Sequence, residues 1–554
     1  METYLHQHNL TLVDSKDPIR GRYIKSTATI PKGTVIITSQ PLGTVALPQT
    51  INEYCNYCFR KQTRPPLQRC SRCKSVYFCD MGCFSNAWLS YHQFVCDPSR
   101  VSRHQDAENE LDLEMLEKVA LNVARYRKRV KTEKEAEGET VEVTMEAFFS
   151  LMGHDASQAG RVLSSHQRLA REALKRAYVQ QTSIDEKELV HYLNVFKSNN
   201  FTLDDQEMFA VGEGTYPVAS LFNHTCRPNA VILFDGALAE IRAIETIAPD
   251  TEITISYIDP AHSRTHRKRV LREKYFFDCQ CVRCTRQEGP KAYLSLVDAM
   301  LGEEEDDWDR AQQLLGNDDS VRSRLLKDIE AWDLLALCKI YDRKSDGCLD
   351  PSRPLDISHY THYLIQFFAP YLLTSNQPEL HQQQVGQARK TSLTDFDDPL
   401  PSHARPAVQS SYDDILRTAL TDIMTYPVSG IVPYRLSTLS IATRLFYDEM
   451  AEGHWQNAVR LGMYILIQYC FIYPPYHPML AQHFLNLAKA SWNAIIQLEL
   501  ISNERQLEKV YERGVRRWIM SSKETVAISF GKNSPLWRET LELEWIFLRE
   551  QNLK

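Results

Sequence analysis

The residues with the clearest chemical role are cysteines that recur at metal-ligand spacing near the N-terminus. They form the run Cys55-x2-Cys58-x11-Cys70-x2-Cys73-x5-Cys79-x3-Cys83-x8-His92-x3-Cys96. Eight ligands supply two tetrahedral sites of four, the closed arrangement of structural zinc. Because this segment has little apolar core, metal binding must supply much of its folding free energy, on the order of 10 kcal/mol per site. Disulfides or an accidental cluster are the alternatives.

A second group of reactive residues lies in two stretches some distance downstream. The first, "LFNHTCRPNA" (221–230), places an Asn-His pair beside Cys226, and the second, "YFFDCQCVRC" (275–284), adds three cysteines. Our hypothesis is that a zinc ion ties the two stretches together and that this join builds the binding site of an enzyme. The stretch Asn223-His224-Thr225 also matches the N-glycosylation acceptor pattern, which would require a secreted protein.

The composition restricts the class of protein. A chain of 554 residues is expected to form two to four domains, and 43% hydrophobic with 24% charged residues is typical of a folded globular protein. The net charge of −7 provides no global basic field for nucleic acid. The N-terminus has no apolar core of signal-peptide length, and no window approaches 18 uninterrupted apolar residues.

We therefore expect no membrane span and a cytoplasmic or nuclear location, or both. Thiols stay reduced in those compartments, so the fourteen cysteines are interpreted as metal ligands before disulfides. The three scattered cysteines, Cys338, Cys348 and Cys470, are predicted to be small buried apolar residues.

The elements that must position these residues alternate between strands and helices. Residues 21–47 predict short strands with a turn at Pro31–Gly33. Helical periodicity covers 107–134 and, after a polar loop, 145–198. Strand signals return at 209–212, 230–234, 238–243 and 252–257, with Asp235-Gly236 as a hairpin turn.

Beyond about residue 290 the pattern predicts only amphipathic helices. These helices are expected near 413–425, 433–450, 453–472, 477–499, 503–521 and 535–551. A polar, proline-rich stretch near 374–411 is predicted to be a disordered or loosely held insertion. The segment "GHWQNAVRLGMYILIQY" has the spacing of a tetratricopeptide-like helix, although the 34-residue period is not clean.

Several of these segments together resemble one protein family. The cysteine spacing resembles the MYND zinc finger, and "GEGTYPVASLFNHTCRPNAVILFDGALAEIRAIETIAPDTEITISYID" resembles the core of a SET domain. "IRGRYIKSTATIPKGTVI", "NNFTL" (199–203) and "YFFDCQCVRC" resemble further segments of the SET and MYND lysine methyltransferases, in the same order. The resemblance covers about residues 15–290 closely, and it continues more loosely into the helical C-terminal region.

The resemblance implies an α+β fold. A SET β-core is split by a MYND zinc module and a helical insertion, and an all-α, tetratricopeptide-like C-terminal domain follows. The implied segments are N-terminal SET strands at 1–48, the MYND finger at 49–100, the helical insertion at 101–198, the SET core at 199–260, the cysteine-rich post-SET segment at 261–288 and the helical domain at 289–554.

The resemblance also implies a protein-lysine N-methyltransferase that uses S-adenosylmethionine. Tyr257 would stand at the methyl-transfer centre, and Asn223 and His224 would meet the adenine and backbone region of the cofactor. The implied cofactor contacts are Arg20, Gly21, Arg22, Asn199, Ser220, Asn223, His224, Tyr257, Tyr275 and Phe277. The alternatives are that Tyr257 is a core aromatic residue and that Tyr275 and Phe277 are plain packing.

Three structural zinc ions are implied by the same family. By resemblance the ligands interleave, with one ion on Cys55, Cys58, Cys79 and Cys83 and another on Cys70, Cys73, His92 and Cys96. The third ion is implied on Cys226, Cys279, Cys281 and Cys284, where it would fold the cysteine-rich tail back over the core.

The implied substrate and partners leave open whether the protein is an active enzyme or a scaffold. The implied substrate is a lysine-bearing protein, histone or non-histone, and the chain is expected to be a monomer with no membrane partner. MYND relatives bind proline-rich peptides or DNA, and the net charge argues against DNA.

The family's Gly-x-Gly turn is Gly21-Arg22-Tyr23 here, which puts a side chain where the backbone should approach the cofactor. The rival function is therefore a weakly active or inactive scaffold that recruits proline-rich partners in transcriptional regulation.

Overall fold

The computed structural model describes residues 1–285, apart from 18–19, 63, 97–106, 132–138, 158–159 and 181, together with Asp298 and residues 436–553 apart from 502–504. These residues form two compact units. One comprises Met1–Tyr257 and Val270–Asp278, and the other comprises Ile258–Arg269 and Cys279–Lys554. The predicted helix near 413–425, the predicted insertion near 374–411 and the two cysteines at 338 and 348 lie outside the described residues.

The described residues contain twelve strands. In chain order β1 to β12 are Leu10–Asp14, Arg22–Ser26, Val35–Ser39, Gly43–Ala46, Gln68–Arg69, Tyr77–Phe78, Asn200–Asp204, Ala210–Thr215, Asn223–His224, Ala230–Asp235, Leu238–Ala243 and Thr254–Ile255.

Fourteen α-helices lie in the same described ranges. In chain order α1 to α14 are Glu2–Gln7, Met81–Ala87, Gln93–Val95, Ala107–Lys131, Glu139–Ser150, Gly160–Leu174, Ala177–Gln180, Glu186–Asn199, Arg264–Tyr275, Leu436–Glu452, Trp455–Ile472, Pro478–Ile501, Arg505–Ser529 and Pro535–Leu553. A π-helical turn covers Trp88–His92, and 3-10 turns cover Asp155–Ser157 and Ala219–Leu221. None of the described helices combines the length and apolar character that crossing a lipid bilayer requires.

The strands of the first unit pair across long sequence distances. Strand order is β10–β11–β3 in one antiparallel sheet and β4–β8–β7 in another, with β1–β2 as a separate pair. In the register, Ile37 of β3 faces Ile241 of β11, and Thr44 of β4 faces Gly214 of β8. Strands β3 and β4, made from the first fifty residues, therefore find their partners after residue 200.

The core of the first unit lies between these sheets and the helices α4 and α8. In α4 the apolar residues Met115, Leu116 and Val119 recur at helical spacing and are buried. Helix α8 begins with a capping box, in which Asp185 accepts from the backbone N–H of Glu188 while the Glu188 side chain accepts from the Asp185 N–H. The helical pattern predicted over 145–198 is divided among α5 to α8, and this cap marks where the last of these helices begins.

The tip of the β10–β11 hairpin packs on the zinc module. Gly236 has φ +64°, and a Cβ there would lie 2.3 Å from the carbonyl oxygen of Cys58. Arg60 of the module donates both hydrogen bonds of its Nη2 to the Asp235 carboxylate at 3.0 Å. Glycine is required at this turn for two reasons, since the backbone is left-handed and the module backbone approaches closely.

The second unit is helical. Helices α10 to α14 pack in succession, each on the next. Every residue from Leu461 to Ile472 in α11 is buried, so this helix has no solvent-facing side over those residues. Gly462 allows close approach, because a Cβ there would meet Leu487 at 2.8 Å and Phe446 at 2.9 Å. The helical C-terminal region is confirmed, whereas its tetratricopeptide-like character stays a prediction.

A buried ion triad holds the cysteine-rich segment within the second unit. The carboxylate of Asp298 accepts from Arg267 at 2.8 and 2.9 Å and from Arg283 at 2.8 Å. Arg283 also donates to the carbonyl oxygen of Ile472, at the end of α11, at 3.5 Å. All three charged side chains are at most 1% exposed. Charges buried this deeply persist only when they are paired and hydrogen-bonded.

Candidate active site and metal centres

The zinc module brings its eight predicted ligands together as two groups of four. The groups are Cys55, Cys58, Cys79 and Cys83, and Cys70, Cys73, His92 and Cys96, and within each group the ligand atoms lie within 4.8 Å of one another. The Sγ atoms of Cys58 and Cys79 are 3.6 Å apart, and those of Cys70 and Cys96 are 3.9 Å apart. A tetrahedral zinc with Zn–S bonds of about 2.3 Å places neighbouring sulfurs about 3.8 Å apart, so these groups fit the ion.

Two further groups have ligand-like spacing. The Sγ atoms of Cys226, Cys279, Cys281 and Cys284 also lie within 4.8 Å of one another, as the resemblance implies. The fourth group, Glu449, Glu452 and His454, was not predicted, and it lacks any thiolate. The structure thus offers four candidate groups where three zinc ions were expected.

The predicted N-terminal turn contacts a backbone carbonyl at the end of helix α5. Gly21 adopts φ +60°, the left-handed conformation that favours glycine. The guanidinium of Arg22 donates to the carbonyl oxygen of Ser150. The Asn199 amide donates to the carbonyl oxygen of Met152 at 3.4 Å, and the Ser220 hydroxyl lies 3.3 Å from the Asn199 carbonyl oxygen. The structure therefore brings Arg22 and Asn199 to one segment that the sequence did not single out, and Ser220 contacts Asn199.

Asn223 lies beside the same turn and contacts a carboxylate that was not predicted. Its Nδ2 donates to the carbonyl oxygen of Arg20 at 3.2 Å and to Oε1 of Glu252 at 3.0 Å. Oε2 of Glu252 accepts from the Arg20 guanidinium at 2.7 and 3.0 Å. The guanidinium carbon of Arg20 lies 3.7 Å from the centre of the Tyr23 ring. Arg20, Tyr23, Asn223 and Glu252 thus form a polar cluster, which we call the turn cluster.

His224 is placed by a short parallel strand pair. In the register of β9 and β12, Asn223 faces Thr254 and His224 faces Ile255. The Nδ1 atom of His224 accepts from the backbone N–H of Tyr257 at 3.0 Å, which fixes the tautomer with the proton on Nε2. That Nε2 lies 3.3 Å from the Sγ of Cys226. One imidazole therefore connects the predicted methyl-transfer residue to a predicted zinc ligand.

Two aromatic side chains lie against this imidazole, and a third packs on one of them. The ring centroids of Tyr257 and Tyr275 are 4.9 Å apart, and the Phe277 ring stands at 89° to Tyr257 with centroids 6.4 Å apart. The His224 ring lies 5.3 Å from Tyr257 and 6.0 Å from Phe277. The structure thus brings together all four residues that the sequence predicts for this part of the site.

The hydroxyl groups of the two tyrosines are held by backbone. Tyr257 donates to the carbonyl oxygen of Phe222 at 2.6 Å, and Tyr275 donates to that of Tyr257 at 3.2 Å. Burial raises the pKa of Tyr257 well above its ordinary value, and the neighbouring Tyr275 and Glu252 raise it further. Burial also raises the pKa of Tyr275 to about 12. Both phenols therefore stay protonated at neutral pH.

A cavity of about 430 Å³ lies in the second unit, between α13 and α14, and Arg516, Lys523, Trp537 and Phe547 are among its lining residues. None of the predicted site residues lines it.

Comparison with known proteins points to one family. Residues 21–258 match the model of the SET domain. The chain is 29% identical over 268 residues to the histone-lysine N-methyltransferase ASHR1 of Arabidopsis thaliana, a match that covers 48% of this chain and 54% of that protein. It is 27% identical over 283 residues to the human N-lysine methyltransferase SMYD2, covering 50% of this chain and 61% of that protein.

A longer match reaches beyond the SET domain. The chain is 25% identical over 422 residues to the mouse histone-lysine N-methyltransferase SMYD3, which covers 70% of this chain and 92% of that protein. The matches to the Arabidopsis and human relatives span only 54% and 61% of those proteins' lengths.

Proposed function

We propose that this chain, which belongs to the SET and MYND family of protein-lysine methyltransferases, transfers a methyl group from S-adenosylmethionine to a lysine side chain of another protein. The observation that carries this proposal is the aromatic group in which Tyr257 and Phe277 lie against His224 and Tyr275 packs on Tyr257. Such a group suits an amine that must lose its charge and its water before it reacts. Histone and non-histone lysines are both possible substrates.

The aromatic group acts first on the protonation state of the substrate. A lysine amine has a pKa of about 10.4 in water and is nucleophilic only when neutral. Aromatic, apolar walls disfavour the ammonium form and so lower that pKa. The phenols of Tyr257 and Tyr275 do not compete for the proton, since both remain neutral.

Tyr257 then orients the amine. Its hydroxyl proton is committed to the carbonyl oxygen of Phe222, so the phenol oxygen is left as an acceptor. An amine N–H that donates to this oxygen points its lone pair away from Tyr257 in a fixed direction. Alignment of this kind is a large part of what an enzyme can contribute to an in-line displacement.

The cofactor would be held by the residues around the N-terminal turn. The proposed contacts are Arg20, Gly21, Arg22, Asn199, Ser220, Asn223 and His224. Bound S-adenosylmethionine supplies a methyl group on a sulfonium, and the faces of Tyr257 and Phe277 suit a sulfonium charge. Within the described residues, Oδ1 of Asn223 receives no hydrogen bond, which leaves an acceptor for an N–H donor of the cofactor.

Zinc would have a structural role in this enzyme. The three cysteine-rich groups leave no open coordination position when four protein ligands bind, and such closed sites stabilise a fold rather than react. We propose three zinc ions, on the two groups of the zinc module and on Cys226, Cys279, Cys281 and Cys284.

A labelled-methyl transfer assay on whole-cell lysate tests the function. Wild-type protein is expected to label protein lysines, and Tyr257→Phe is expected to lower the rate by roughly tenfold to a hundredfold, because the amine loses its oriented acceptor. His224→Ala should also lower it, since the backbone N–H of Tyr257 loses its acceptor.

The matched control is Tyr216→Phe. The Tyr216 hydroxyl also donates to a backbone carbonyl, that of Ala237, at 2.8 Å, but the residue lies outside the site. If the Tyr257 hydroxyl had only a structural role, Tyr257→Phe and Tyr216→Phe would have equal stability and equal methyl-transfer rates. A wild-type protein that neither labels protein nor binds S-adenosylmethionine in calorimetry would show that the proposal is wrong.

A second candidate function is peptide binding by the zinc module. Met81, Leu89 and Phe94 of the module are 63%, 68% and 40% exposed. Exposed apolar side chains on a small metal-stabilised module support a proline-rich or otherwise apolar partner. If calorimetry found no cofactor binding, this scaffold function would remain as the better description of the protein.

A further inference from the structure

We propose that Glu252 and Tyr23 are positioning residues of the cofactor pocket, which hold Asn223 and Arg20 so that the Asn223 carbonyl oxygen is turned toward the methyl donor. This inference rests on the proposed function. It concerns the turn cluster, and it gives a role to the tyrosine that replaces a glycine in this chain.

The orientation of the Asn223 amide follows from its two partners. Nδ2 lies 3.0 Å from a carboxylate oxygen of Glu252 and 3.2 Å from the carbonyl oxygen of Arg20. Both partners are acceptors only, so the NH2 group must face them, and the amide cannot flip without placing oxygen against oxygen. Oδ1 therefore points to the other side, where it can accept from an amino group of a ligand.

Glu252 is suited to this role because a carboxylate accepts on both oxygens. Oε1 receives Asn223, while Oε2 receives two nitrogens of Arg20. A glutamine of the same size could match only one of these donors and would point its own NH2 at the other. The charge of Glu252 thus sets the geometry of Asn223 and Arg20 together.

Tyr23 supports the same arrangement from the other side of Arg20. In β2 the neighbours Ile24 and Ser26 are buried, whereas Tyr23 and Lys25 are only partly buried, so the Tyr23 ring lies on the face away from the core. There the ring packs on the guanidinium, with 3.7 Å between the Arg20 carbon and the ring centroid. A planar guanidinium is held well by an aromatic face on one side and a carboxylate at its edge.

The replacement of glycine by Tyr23 therefore has a different consequence from the one that the family pattern suggests. In its described position the ring packs on the Arg20 guanidinium. It restricts Arg20, whose alternative conformations would otherwise release Glu252 and leave the Asn223 amide free to rotate.

The test measures cofactor affinity and turnover separately in the full-length, zinc-loaded chain. Calorimetry gives Kd for S-adenosylmethionine, and initial rates at varied S-adenosylmethionine give KM and kcat. We expect Glu252→Gln to raise Kd and KM by about tenfold while kcat changes little, because ligand orientation in the ground state is lost. Tyr23→Val is expected to raise Kd roughly twofold to fivefold, the size of a partly exposed cation–π contact.

Two control variants separate positioning from folding. Asp250 lies on the same loop as Glu252, and Asp250→Asn breaks only its ion pair with Lys25, in which the two atoms are 2.6 Å apart. Asparagine is also compatible with the positive φ of 61° at this position. The Asp250→Asn variant should bind as wild type does. Tyr23→Phe keeps the ring and should restore wild-type affinity, which a simple loss of strand stability in Tyr23→Val would not predict.

Several outcomes would overturn the inference. Equal affinities for Glu252→Gln and Asp250→Asn would show that the carboxylate does not position the amide. Tighter binding by Tyr23→Val would show that the ring obstructs the pocket. A wild-type chain that binds no S-adenosylmethionine would overturn the proposed function as well, so the two failures can be told apart.

Discussion

Asp204, at the end of β7, is the residue whose charge state should respond most clearly to pH. Burial, together with the smaller effect of the adjacent Asp205, raises the pKa of this carboxyl to about 7. A carboxyl with a raised pKa stays protonated in the folded state. Its contribution to stability is therefore complete below about pH 4, the ordinary range of aspartate, and is lost as the pH rises through 7.

The Asp204→Asn variant should remove this pH dependence. At pH 8 the amide avoids a buried charge, and we expect the variant to be more stable than wild type by on the order of 1–2 kcal/mol, reduced by partial exposure to water. At pH 5 the difference should shrink, because wild-type Asp204 is then mostly protonated. Thermal melts of both proteins at the two pH values measure this, and an offset that does not change with pH would contradict it.

At the residue scale the sequence predicts metal ligands better than it predicts the turn cluster. Two C-x2-C pairs and an H-x3-C pair carry their chemistry in local spacing, so Cys55 or His92 can be singled out without a structure. Glu252 has no such local signal. Its partners Asn223 and Arg20 lie 29 and 232 positions away, and only the folded chain brings a carboxylate to them.

Among the elements, the β10–β11 hairpin connects the sheet to the zinc module, because its tip packs on the module. The contact depends on Gly236, where both a left-handed backbone and the nearby carbonyl oxygen of Cys58 exclude a side chain. The Arg60–Asp235 ion pair at the same tip is more than half exposed, so it contributes little by itself. Close backbone packing is the stronger part of this contact.

The Gly236→Ala variant should destabilise the first unit and loosen the zinc module. We expect a loss of roughly 2–4 kcal/mol, since a strained φ and a steric clash act together. Gly453→Ala is the matched control, because Gly453 has φ +78° but its Cβ would meet only the Trp455 indole nitrogen, at 3.9 Å. Hydrogen exchange of residues 55–62, together with thermal melts, measures both effects. Equal losses in the two variants would show that the module does not depend on the hairpin tip.

Element boundaries show where sequence patterns end and tertiary packing begins. The hairpin turn is predicted one residue too early, because Asp235 still pairs with Leu238 and the two residues between the strands are Gly236 and Ala237. Helix α4 starts at Ala107 as predicted, since its apolar face is regular. The strand predicted over 252–257 is reduced to Thr254–Ile255, and within it the N–H of Thr254 donates to the side chain of Asn229 rather than to a neighbouring strand.

For the whole molecule, metal content is the quantity that tests the proposed sites together. Metal analysis of purified protein should give about three zinc ions per chain, one for each cysteine-rich group. Cys83→Ser should lower the content by about one, whereas Glu449→Gln, in the group without thiolates, should leave it unchanged. A strong chelator should remove the metal and expose residues 55–96 to proteolysis, since their small core cannot replace the lost binding energy.

The matched cysteine control is Cys470→Ala. Cys470 is fully buried in α11 and belongs to none of the candidate metal groups. Its replacement should cost stability without changing metal content. Four zinc ions in wild type, falling to three in Glu449→Gln, would contradict the assignment of three structural ions.

The pairing of early strands with late ones also matters while the protein is being made. Strand β3 leaves the ribosome about 200 residues before its partner β11, and β4 waits similarly for β8. At about 5–20 residues per second, these apolar edges stay without their partners for roughly 10–40 s. During that interval they can pair with other nascent chains, so the yield of active protein in a cell should depend on how well chaperones cover the first fifty residues.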